Sequence, residues 1–374
     1  MSHTAALRTV SFFDYASVFV GEESALLEVI GDIGRRGAFI MQEDLAAFER
    51  HLAEFVGAKY ALGVGNATDA LMIGCQAAGL GPGDEVILSS HTMIATAIGI
   101  HSAGATPVPV ECGSDHLIDP AAVEQAITPR TKAILPTHLN GRTCNMDALR
   151  DIAERHGLLI IEDAAQALGS KFKDKGAGSF GIASAFSFYP AKVLGCLGDG
   201  GAVLTSNNEM YERLWQLRDF GRNRKGEIVS WGINSRLDNL QAAILDYRLK
   251  KFDQVVHRRR EIASMYQEAL GDVEQLILPP PPDSDPDHFD IYQNYEIDAA
   301  RRDELKAFLA EHGIGTLIQW GGVAVHRCRK LGFTQELPYT DYLFQAMLML
   351  PLNMSMSTDD VEYVCEKIRK FYRP

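Results

Sequence analysis

The chain has 374 residues, of which 46% are hydrophobic and 23% charged, and this length predicts two domains or one large domain with an appendage. Its formal net charge of −13 argues against general binding to nucleic acids or anionic membranes, since both need a basic face. No unbroken apolar run approaches the roughly 20 residues of a membrane helix, and no early apolar segment follows basic residues, so we expect a soluble, cytoplasmic protein.

The six cysteines lie singly along the chain, and no two have C-x-x-C spacing. This pattern disfavours both a zinc site and a disulfide framework, so we predict no metal. Cys196 lies on the lysine loop described below, and we interpret it as a packed thiol rather than a reactive one.

The first predicted elements are a helix, a strand and the start of a second helix. Residues Gln42–Val56 carry apolar side chains at helical spacing until Gly57 ends the pattern, and Tyr60–Val64 follows as a strand. The strand ends in small residues where the next helix begins, and free backbone N–H groups at a helix start bind anions. We therefore predict a phosphate-binding turn with Ala67 and Thr68 as its donors.

The rival interpretation of this turn is a dinucleotide-binding fingerprint. Gly63 and Gly65 have the spacing of its first two glycines, but the third glycine is missing. No acidic residue follows a clear second strand at the expected distance, so a Rossmann dehydrogenase is disfavoured.

Alternating strands and helices continue through the middle of the chain. The predicted elements lie at Glu85–Leu88, His91–Gly104, Thr106–Val110, Ala133–Pro136 and Met146–His156. This alternation predicts a mainly parallel sheet with helices on both faces.

The stretch Leu158–Ala167 is interpreted as a buried parallel strand that ends in acidic residues and continues into small ones. Because ligands of open α/β sheets bind at the carboxyl ends of the strands, Asp163 is placed to meet one. A carboxylate at that place can hold a pyridinium nitrogen in its protonated form.

A single lysine follows on a constrained loop. Lys192 comes after the apolar run Ala185–Phe188 and a proline, and the glycine-rich turn Gly198–Ala202 comes next. Desolvation on such a loop lowers the pKa of a lysine, which suits an amine that forms a Schiff base; the alternative is an ordinary loop lysine beside a tight turn. A lysine nucleophile, a pyridinium-pairing aspartate and a phosphate turn together indicate pyridoxal 5′-phosphate (PLP) as the cofactor.

Three motifs give the chain a specific resemblance to a known family. The segments Glu162–Ala167 (E-D-A-A-Q-A), Ser187–Lys192 (S-F-Y-P-A-K) and Gly198–Val203 (G-D-G-G-A-V) resemble the DegT/DnrJ/EryC1/StrS family of PLP-dependent sugar aminotransferases, and the resemblance covers nearly the whole length. It implies the fold-type I (aspartate aminotransferase-like) α/β fold. We expect a large PLP-binding domain over residues 1–250, with a mainly parallel seven-stranded sheet, and a smaller α+β C-terminal domain over residues 251–374.

The resemblance also implies roles for individual residues. Lys192 becomes the covalent anchor and proton carrier, Asp163 the partner of the ring nitrogen, and Gln166 a hydrogen-bond partner of the ring hydroxyl oxygen. Ser187 is placed like the family's phosphate-binding serine. Met93 stands where the family has a ring-stacking aromatic residue, and its thioether can cover a ring face; the alternative is a core methionine.

Later segments complete the predicted architecture. Asn234 matches an asparagine that in the family reaches the cofactor phosphate of the neighbouring subunit, which implies a homodimer with shared sites; the alternative is a turn asparagine. Beyond it we predict a long charged helical segment, roughly Asn239–Ala269, and a stiff proline-rich linker at residues 279–286. A strand is predicted at Tyr292–Ile297.

The retained Lys192 favours amino-group transfer, because relatives that act as dehydratases carry histidine at that position. We predict an aminotransferase that moves an amino group from an amino acid, with glutamate as the expected donor, to a nucleotide-linked keto-deoxysugar. Tyr189 and Asp199 resemble the relatives that act at C3, and the alternative is C4 of a 4-keto-6-deoxyhexose. A non-catalytic PLP-binding regulatory protein is disfavoured, because a binder has no need of the base.

An acidic protein needs local cations to bind a nucleotide diphosphate. The densest basic clusters near the expected rim are Arg222–Lys225 and Arg327–Lys330, and either is alternatively a solvated surface. The candidate substrate-binding residues are Tyr189, Arg222, Arg224, Lys225, Trp320, His326 and Arg327.

Overall fold

The computed structural model describes residues 8–373, and its helices and strands alternate as expected for an α/β protein. Its α-helices are α1 Tyr15–Arg36, α2 Glu43–Val56, α3 Ala67–Ala77, α4 Ile94–Ser102, α5 Pro120–Gln125, α6 Met146–His156, α7 Asn208–Arg218, α8 Asn239–Leu249, α9 Phe252–Leu270, α10 Arg302–Glu311, α11 Pro338–Ala346 and α12 Thr358–Tyr372. Its strands are β1 Tyr60–Val64, β2 Glu85–Ser89, β3 Thr106–Val110, β4 Thr131–Leu135, β5 Leu159–Asp163, β6 Lys171–Phe172, β7 Lys175–Gly176, β8 Ala183–Ser187, β9 Gly201–Thr205, β10 Leu276–Ile277, β11 His288–Phe289, β12 Tyr295–Ala299 and β13 Met347–Leu350.

The central sheet has seven strands in the order β1-β9-β8-β5-β4-β2-β3. The five strands from β3 to β8 in this order run parallel, whereas β9 is antiparallel to both of its neighbours. This confirms the predicted mainly parallel, seven-stranded α/β fold. The loops after β2, β4, β5 and β8 therefore meet at one edge of the sheet, where open α/β sheets bind their ligands.

Local sequence signals explain where several elements begin and end. The αL conformation of Gly57 (φ 81°) ends α2, as the glycine predicted. The Asn66 side chain begins α3 by accepting a hydrogen bond from the Asp69 amide at 2.9 Å. Helix α6 has the predicted bounds.

The helical segment predicted over Asn239–Ala269 is present, but the prediction did not include the break that divides it into α8 and α9. Lys251 has a non-helical conformation, and the turn lets Phe252 pack edge-on against Phe55, with ring centroids 5.4 Å apart. Helix α8 packs on α1 and α2, while α9 packs on α12. A straight helix would expose one of these two apolar faces.

The predicted strand Tyr292–Ile297 was also wrong in its bounds, since β12 begins only at Tyr295. Tyr292 has a φ of 50°, which no strand residue adopts. The buried Arg259 guanidinium donates hydrogen bonds to the carbonyl oxygens of Tyr292 and Gln293 at 2.8 and 2.7 Å. These two carbonyl groups are therefore bonded to a side chain and not to a neighbouring strand.

A second, smaller sheet in the order β10-β12-β13 lies in the C-terminal part of the chain. Its apolar side chains share a hydrophobic cluster with α9, α10 and α12. The predicted boundary between residues 250 and 251 falls at the break between α8 and α9, and the division into domains stays a prediction. Among the described residues, no helix is long and apolar enough to cross a membrane.

Candidate active site

Lys192 lies on the loop between β8 and β9, and Gln293 holds this loop on both sides of it. The Gln293 side chain accepts a hydrogen bond from the Val193 amide at 2.8 Å and donates one to the Ala191 carbonyl at 2.9 Å. Burial lowers the pKa of Lys192 to about 8, while the charge of nearby Asp163 acts in the opposite direction. The backbone on both sides of Lys192 is therefore held in place, and its amine loses its proton more readily than that of an ordinary lysine.

Asp163 is buried at the end of β5, where sheet topology predicts a ligand. Its Oδ2 accepts a hydrogen bond from the Thr96 hydroxyl at 2.7 Å, and its Oδ1 accepts one from the Ala165 amide at 3.1 Å. The two donors fix the orientation of the carboxyl group. Asp163 is therefore suited to hold a cationic group at the sheet edge.

A chain of threonine hydroxyls supports this carboxylate. Thr92 Oγ1 lies 2.8 Å from both Thr96 Oγ1 and Thr137 Oγ1. Each hydroxyl has one proton to donate, and the proton of Thr96 goes to Asp163, so Thr92 donates to Thr96 and Thr137 donates to Thr92. All three threonines are buried.

The turn before α3 offers backbone donors close to the β8–β9 loop. The amide groups of Ala67 and Thr68 find no acceptor among the described residues, as expected for the first two residues of a helix. Gly201 pairs with Ser187 across β8 and β9, and a Cβ on Gly201 would lie 2.7 Å from the Ala67 nitrogen. Ser187 is therefore brought beside the helix start, as the phosphate-site prediction requires.

Gln166 is held by its carbonyl oxygen, which leaves its amide nitrogen available. Gln166 Oε1 accepts hydrogen bonds from the Asn140 backbone amide at 2.8 Å and the Asn294 side chain at 3.3 Å. Because Nε2 has no partner among the described residues, it can donate to a bound ring oxygen.

Two further predicted cofactor residues are exposed. Met93 directly precedes α4, the helix whose first turn carries Thr96, and is 51% exposed. Asn234 is exposed, and its backbone pairs with Asp219 in an isolated antiparallel bridge. The next residue, Ser235, accepts a hydrogen bond from the Gly65 amide at 2.9 Å and donates one to Asp69 at 2.6 Å, which ties this segment to the start of α3.

Residues 220–231 form a short hairpin in which Arg222 and Ile228 pair as an isolated antiparallel bridge. The candidate substrate residues after β8 and on this 220–231 hairpin differ in how many interactions their side chains make within the chain. Tyr189 is half exposed, and Lys225 is exposed. Arg222 lies 3.6 Å from Asp219. Arg224 stacks 3.5 Å above the Trp215 ring centroid and hydrogen-bonds a glutamate on α7, so much of its binding capacity is used within its own chain.

The candidate substrate residues near residue 320 are held by hydrogen bonds, ion pairs and ring packing within their own chain. His326 is buried, with Nδ1 2.7 Å from Ser90 Oγ and Nε2 3.1 Å from Asp341 Oδ1. Arg327 pairs with Asp341 as well. Trp320 is half-buried and packs edge-on against a histidine ring. His326 therefore has a structural role in this chain.

A cavity of about 340 Å³ borders the lysine loop. Its lining includes Lys192, the residues around Phe12 and Tyr15 of the N-terminal segment, and Asn353 after β13. The cavity thus extends from the amine towards the small sheet, and it gives a second reactant access to Lys192.

These residues fit PLP in charge and placement. A dianionic phosphate fits the free amides at the start of α3 beside the Ser187 hydroxyl, and a pyridinium fits the Asp163 carboxylate. The close approach of Gly201 to the helix start leaves no room there for a side chain.

Comparison with known proteins identifies the family to which this arrangement belongs. The profile of the DegT/DnrJ/EryC1/StrS aminotransferase family matches residues 21–369. The chain belongs to this family. It is 38% identical to the dTDP-3-amino-3,4,6-trideoxy-alpha-D-glucose transaminase of Streptomyces venezuelae, over 99% of this chain and 98% of the relative.

Two further matches describe the family's range. The pleiotropic regulatory protein of Geobacillus stearothermophilus is 38% identical, over 97% of this chain and 99% of its own. The crystal structure of S. venezuelae DesV in complex with a ketimine intermediate has a TM-score of 0.94 and 38% identity, and the match covers 98% of this chain and 99% of DesV. The fold-type I fold predicted for this DegT/DnrJ/EryC1/StrS protein is thereby confirmed.

Sequence reasoning missed the supporting groups of the site. The hydroxyls of Thr92, Thr96 and Thr137 and the clamp formed by Gln293 were not predicted. A single threonine such as Thr96 carries no recognisable motif. Gln293 lies about 100 residues along the chain from the loop that it holds.

Proposed function

We propose that the protein is a PLP-dependent aminotransferase that transfers the amino group of glutamate to C3 of a nucleotide-linked 3-keto-6-deoxyhexose. The observation that carries the proposal is a desolvated amine, Lys192, held near a buried carboxylate, Asp163, next to an anion-binding helix start. This arrangement supplies an anchor, a charge partner and a phosphate site for one cofactor.

The bound cofactor would supply an electron sink for the carbanion formed when a proton leaves the amino donor. Lys192 is the residue placed to carry that proton, because its pKa of about 8 lets the amine both accept and release it near neutral pH. Asp163 keeps the ring nitrogen protonated, and the Thr96 hydroxyl holds the carboxylate in place. Gln166 Nε2 orients the ring through its hydroxyl oxygen.

The regiochemical part of the proposal rests on two positions and one relative. Tyr189 and Asp199 match the family members that act at C3, and the S. venezuelae relative is named for a 3-amino sugar. Amination at C4 is the second candidate.

We also propose a homodimer, which the surface of the 220–231 hairpin supports. Trp231 is 98% exposed and Ile228 is 70% exposed, and Asn234 lies three residues after Trp231. Exposed apolar side chains grouped in this way mark an interaction surface. A second copy that covers them would bring Asn234 towards its cofactor phosphate.

A regulatory role without turnover is the candidate from a different class, and the name of the G. stearothermophilus relative favours it. The presence of Lys192 with a lowered pKa argues for catalysis, because a passive binder does not need a base. Loss of the cofactor's absorbance band on addition of glutamate alone would support turnover, and an unchanged band would support the binder.

The test incubates the PLP-loaded enzyme and glutamate together with a keto sugar. The 3-keto and 4-keto dTDP- or UDP-sugars are used in separate reactions. NMR of the product identifies the aminated carbon. We expect amination at C3, whereas a product from the 4-keto sugar alone would overturn the regiochemistry.

A further inference from the structure

Three titratable side chains that the proposed reaction does not use lie together beside the site. His91 follows β2, His116 lies on the loop after β3, and Glu296 lies on β12. One nitrogen or oxygen atom of each lies within 4.8 Å of the corresponding atom of the others. His91 and Glu296 are fully buried, and His116 is nearly so. These residues are called the His–Glu cluster.

We propose that the His–Glu cluster binds a divalent transition-metal ion, with Zn²⁺ as the best match. Two imidazoles and a carboxylate are a frequent ligand set for zinc, at about 2.0–2.1 Å from each ligand atom, so tetrahedral neighbours lie roughly 3.3 Å apart. Glu296 Oε1 lies 2.8 Å from His116 Nδ1 and 3.6 Å from His91 Nε2. These separations lie on either side of the required value.

The hydrogen bonding of His91 indicates that a cation belongs in the cluster. His91 Nδ1 lies 3.1 Å from the carbonyl oxygen of His116, which can only accept, so this nitrogen carries the hydrogen. His91 Nε2 is buried without a hydrogen-bond partner and faces the Glu296 carboxylate. Glu296 Oε1 also accepts a hydrogen bond from the Asn140 side chain at 3.2 Å, so His91 Nε2 is the unsatisfied atom, and an ion bound between the two would give it a partner.

Each of the three groups also has a polar partner on the side away from the proposed ion, as metal ligands usually do. His91 is held by the carbonyl of His116, and His116 Nε2 lies 3.3 Å from Asp298 Oδ1. Glu296 Oε2 accepts a hydrogen bond from the Gln319 side chain at 2.6 Å. The carbonyl of His116 fixes the tautomer of His91, and the charge of Asp298 favours a proton on His116 Nε2, which leaves His116 Nδ1 as the ligand atom.

The residues around the cluster leave an entry path for an ion on one side and exclude water on the other. A cavity of about 530 Å³ is lined by His116 and Glu296, so an ion can enter from that side. The rings of Trp320 and Phe344 pack 5.4 and 5.2 Å from the His91 ring and exclude water from the other side. Three protein ligands leave one tetrahedral position for water or another small ligand.

A proton is the competing occupant of the cluster. Burial disfavours a charged His116, but hydrogen bonds and charge from Asp298 and Glu296 outweigh it and raise the pKa of His116 to about 10. The titratable groups that face this ring are Glu296, Asp298 and His91. A metal ion must therefore displace a proton, as metal ions do at other histidine sites.

The test measures metal binding by the full-length holoenzyme. Protein stripped with a chelator is titrated with Zn²⁺ by calorimetry, and with Co²⁺ while its visible absorption is recorded. We expect one ion per chain and a cobalt spectrum of a four-coordinate site. X-ray absorption of the zinc-loaded wild type should show nitrogen and oxygen neighbours only.

The variants compare the ligand Glu296, the residue Asp298 that supports the ligand His116, and a surface control. Glu296→Gln should raise the dissociation constant for Zn²⁺ by more than about 100-fold, and Asp298→Asn should raise it by roughly 10–100-fold, the cost of losing an outer partner. His51→Gln removes an exposed histidine that also lies beside an aspartate, and it should leave the affinity unchanged. Sulfur neighbours in the absorption spectrum, no stoichiometric binding, or equal affinities for wild type and Glu296→Gln would overturn the proposal.

Discussion

The two charged groups at the centre of the site have different surroundings. Burial lowers the pKa of Lys192, whose ammonium has no hydrogen-bond partner among the described residues. Asp163 is buried and receives hydrogen bonds from Thr96 and Ala165, which orient its carboxylate. One residue is thereby prepared to exchange protons and the other to hold a positive charge.

The charge of Asp163 should matter more than the hydrogen bond that supports it. We expect Asp163→Asn to lower kcat/KM by about 100-fold or more, on the order of 3 kcal/mol, because a group that stabilises the transition-state charge is lost. Thr96→Val should cost less, and Thr96→Ser should restore most of the rate by restoring the hydroxyl. Steady-state kinetics would contradict this account if Asp163→Asn stayed within tenfold of the wild type.

The titration of Lys192 gives a second prediction. In cofactor-free protein the neutral amine becomes the major form above about pH 8, so acetylation of Lys192, followed by mass spectrometry, should rise through that pH. The charge of Asp163 raises this pKa, so Asp163→Asn should move the midpoint to lower pH. A midpoint near 10.4, the usual lysine value, would show that the amine is not desolvated.

The elements around the site depend on close packing at one position. Strand β9 starts against the first turn of α3, and a Cβ on Gly201 would lie 2.5 Å from the Asn66 carbonyl carbon. Because both neighbours are backbone, neither can rotate away. This contact sets the spacing between Ser187 and the amides of α3.

Gly201→Ala should therefore weaken binding of PLP by roughly 10–100-fold, in line with an overpacking cost of about 1–3 kcal/mol. Pyridoxal, which lacks the phosphate, should bind both proteins equally. Gly198→Ala is the matched control on the same turn, since its Cβ meets only a glutamine side chain at 3.3 Å. An equal loss for PLP and pyridoxal would mean that the phosphate turn is not what Gly201 shapes.

Elements with local signals could be predicted from the sequence, whereas the contacts between them could not. Helix α6 and strand β1 were found because their periodicity lies within a few residues. The break before Phe252 accompanies the packing of its ring against Phe55, and no local pattern reports this contact. For the same reason Asp163 and Lys192 were identified from their motifs, but the Thr96 hydroxyl was not.

The His–Glu cluster could not be predicted from the sequence either, because its three residues lie far apart along the chain. His91 and His116 are 25 residues apart, and Glu296 lies 180 residues beyond His116. Metal ligands at such spacing give no recognisable motif, and the prediction of no metal considered only the cysteines. The cluster forms because β12 of the small sheet packs beside the ligand-binding edge of the large one.

For the whole molecule, the proposed homodimer can be tested at the 220–231 hairpin. If Trp231 lies in a homodimer interface, Trp231→Glu should give a monomer in sedimentation experiments and weaken PLP binding, because Asn234 of the second copy is withdrawn. Ile277→Glu alters another exposed apolar residue, on β10, and should remain dimeric. A wild-type monomer saturated with PLP would contradict the proposed dimer.

The most direct test of the proposed function is the transfer of ¹⁵N from labelled glutamate to the nucleotide-linked keto sugar, followed by NMR. The wild type should place ¹⁵N on the sugar carbon. Lys192→Ala, which removes the anchor and the proton carrier while leaving the circular dichroism spectrum unchanged, should transfer none above background. Near-normal ¹⁵N transfer by Lys192→Ala, or none by the wild type with any keto sugar, would contradict the account.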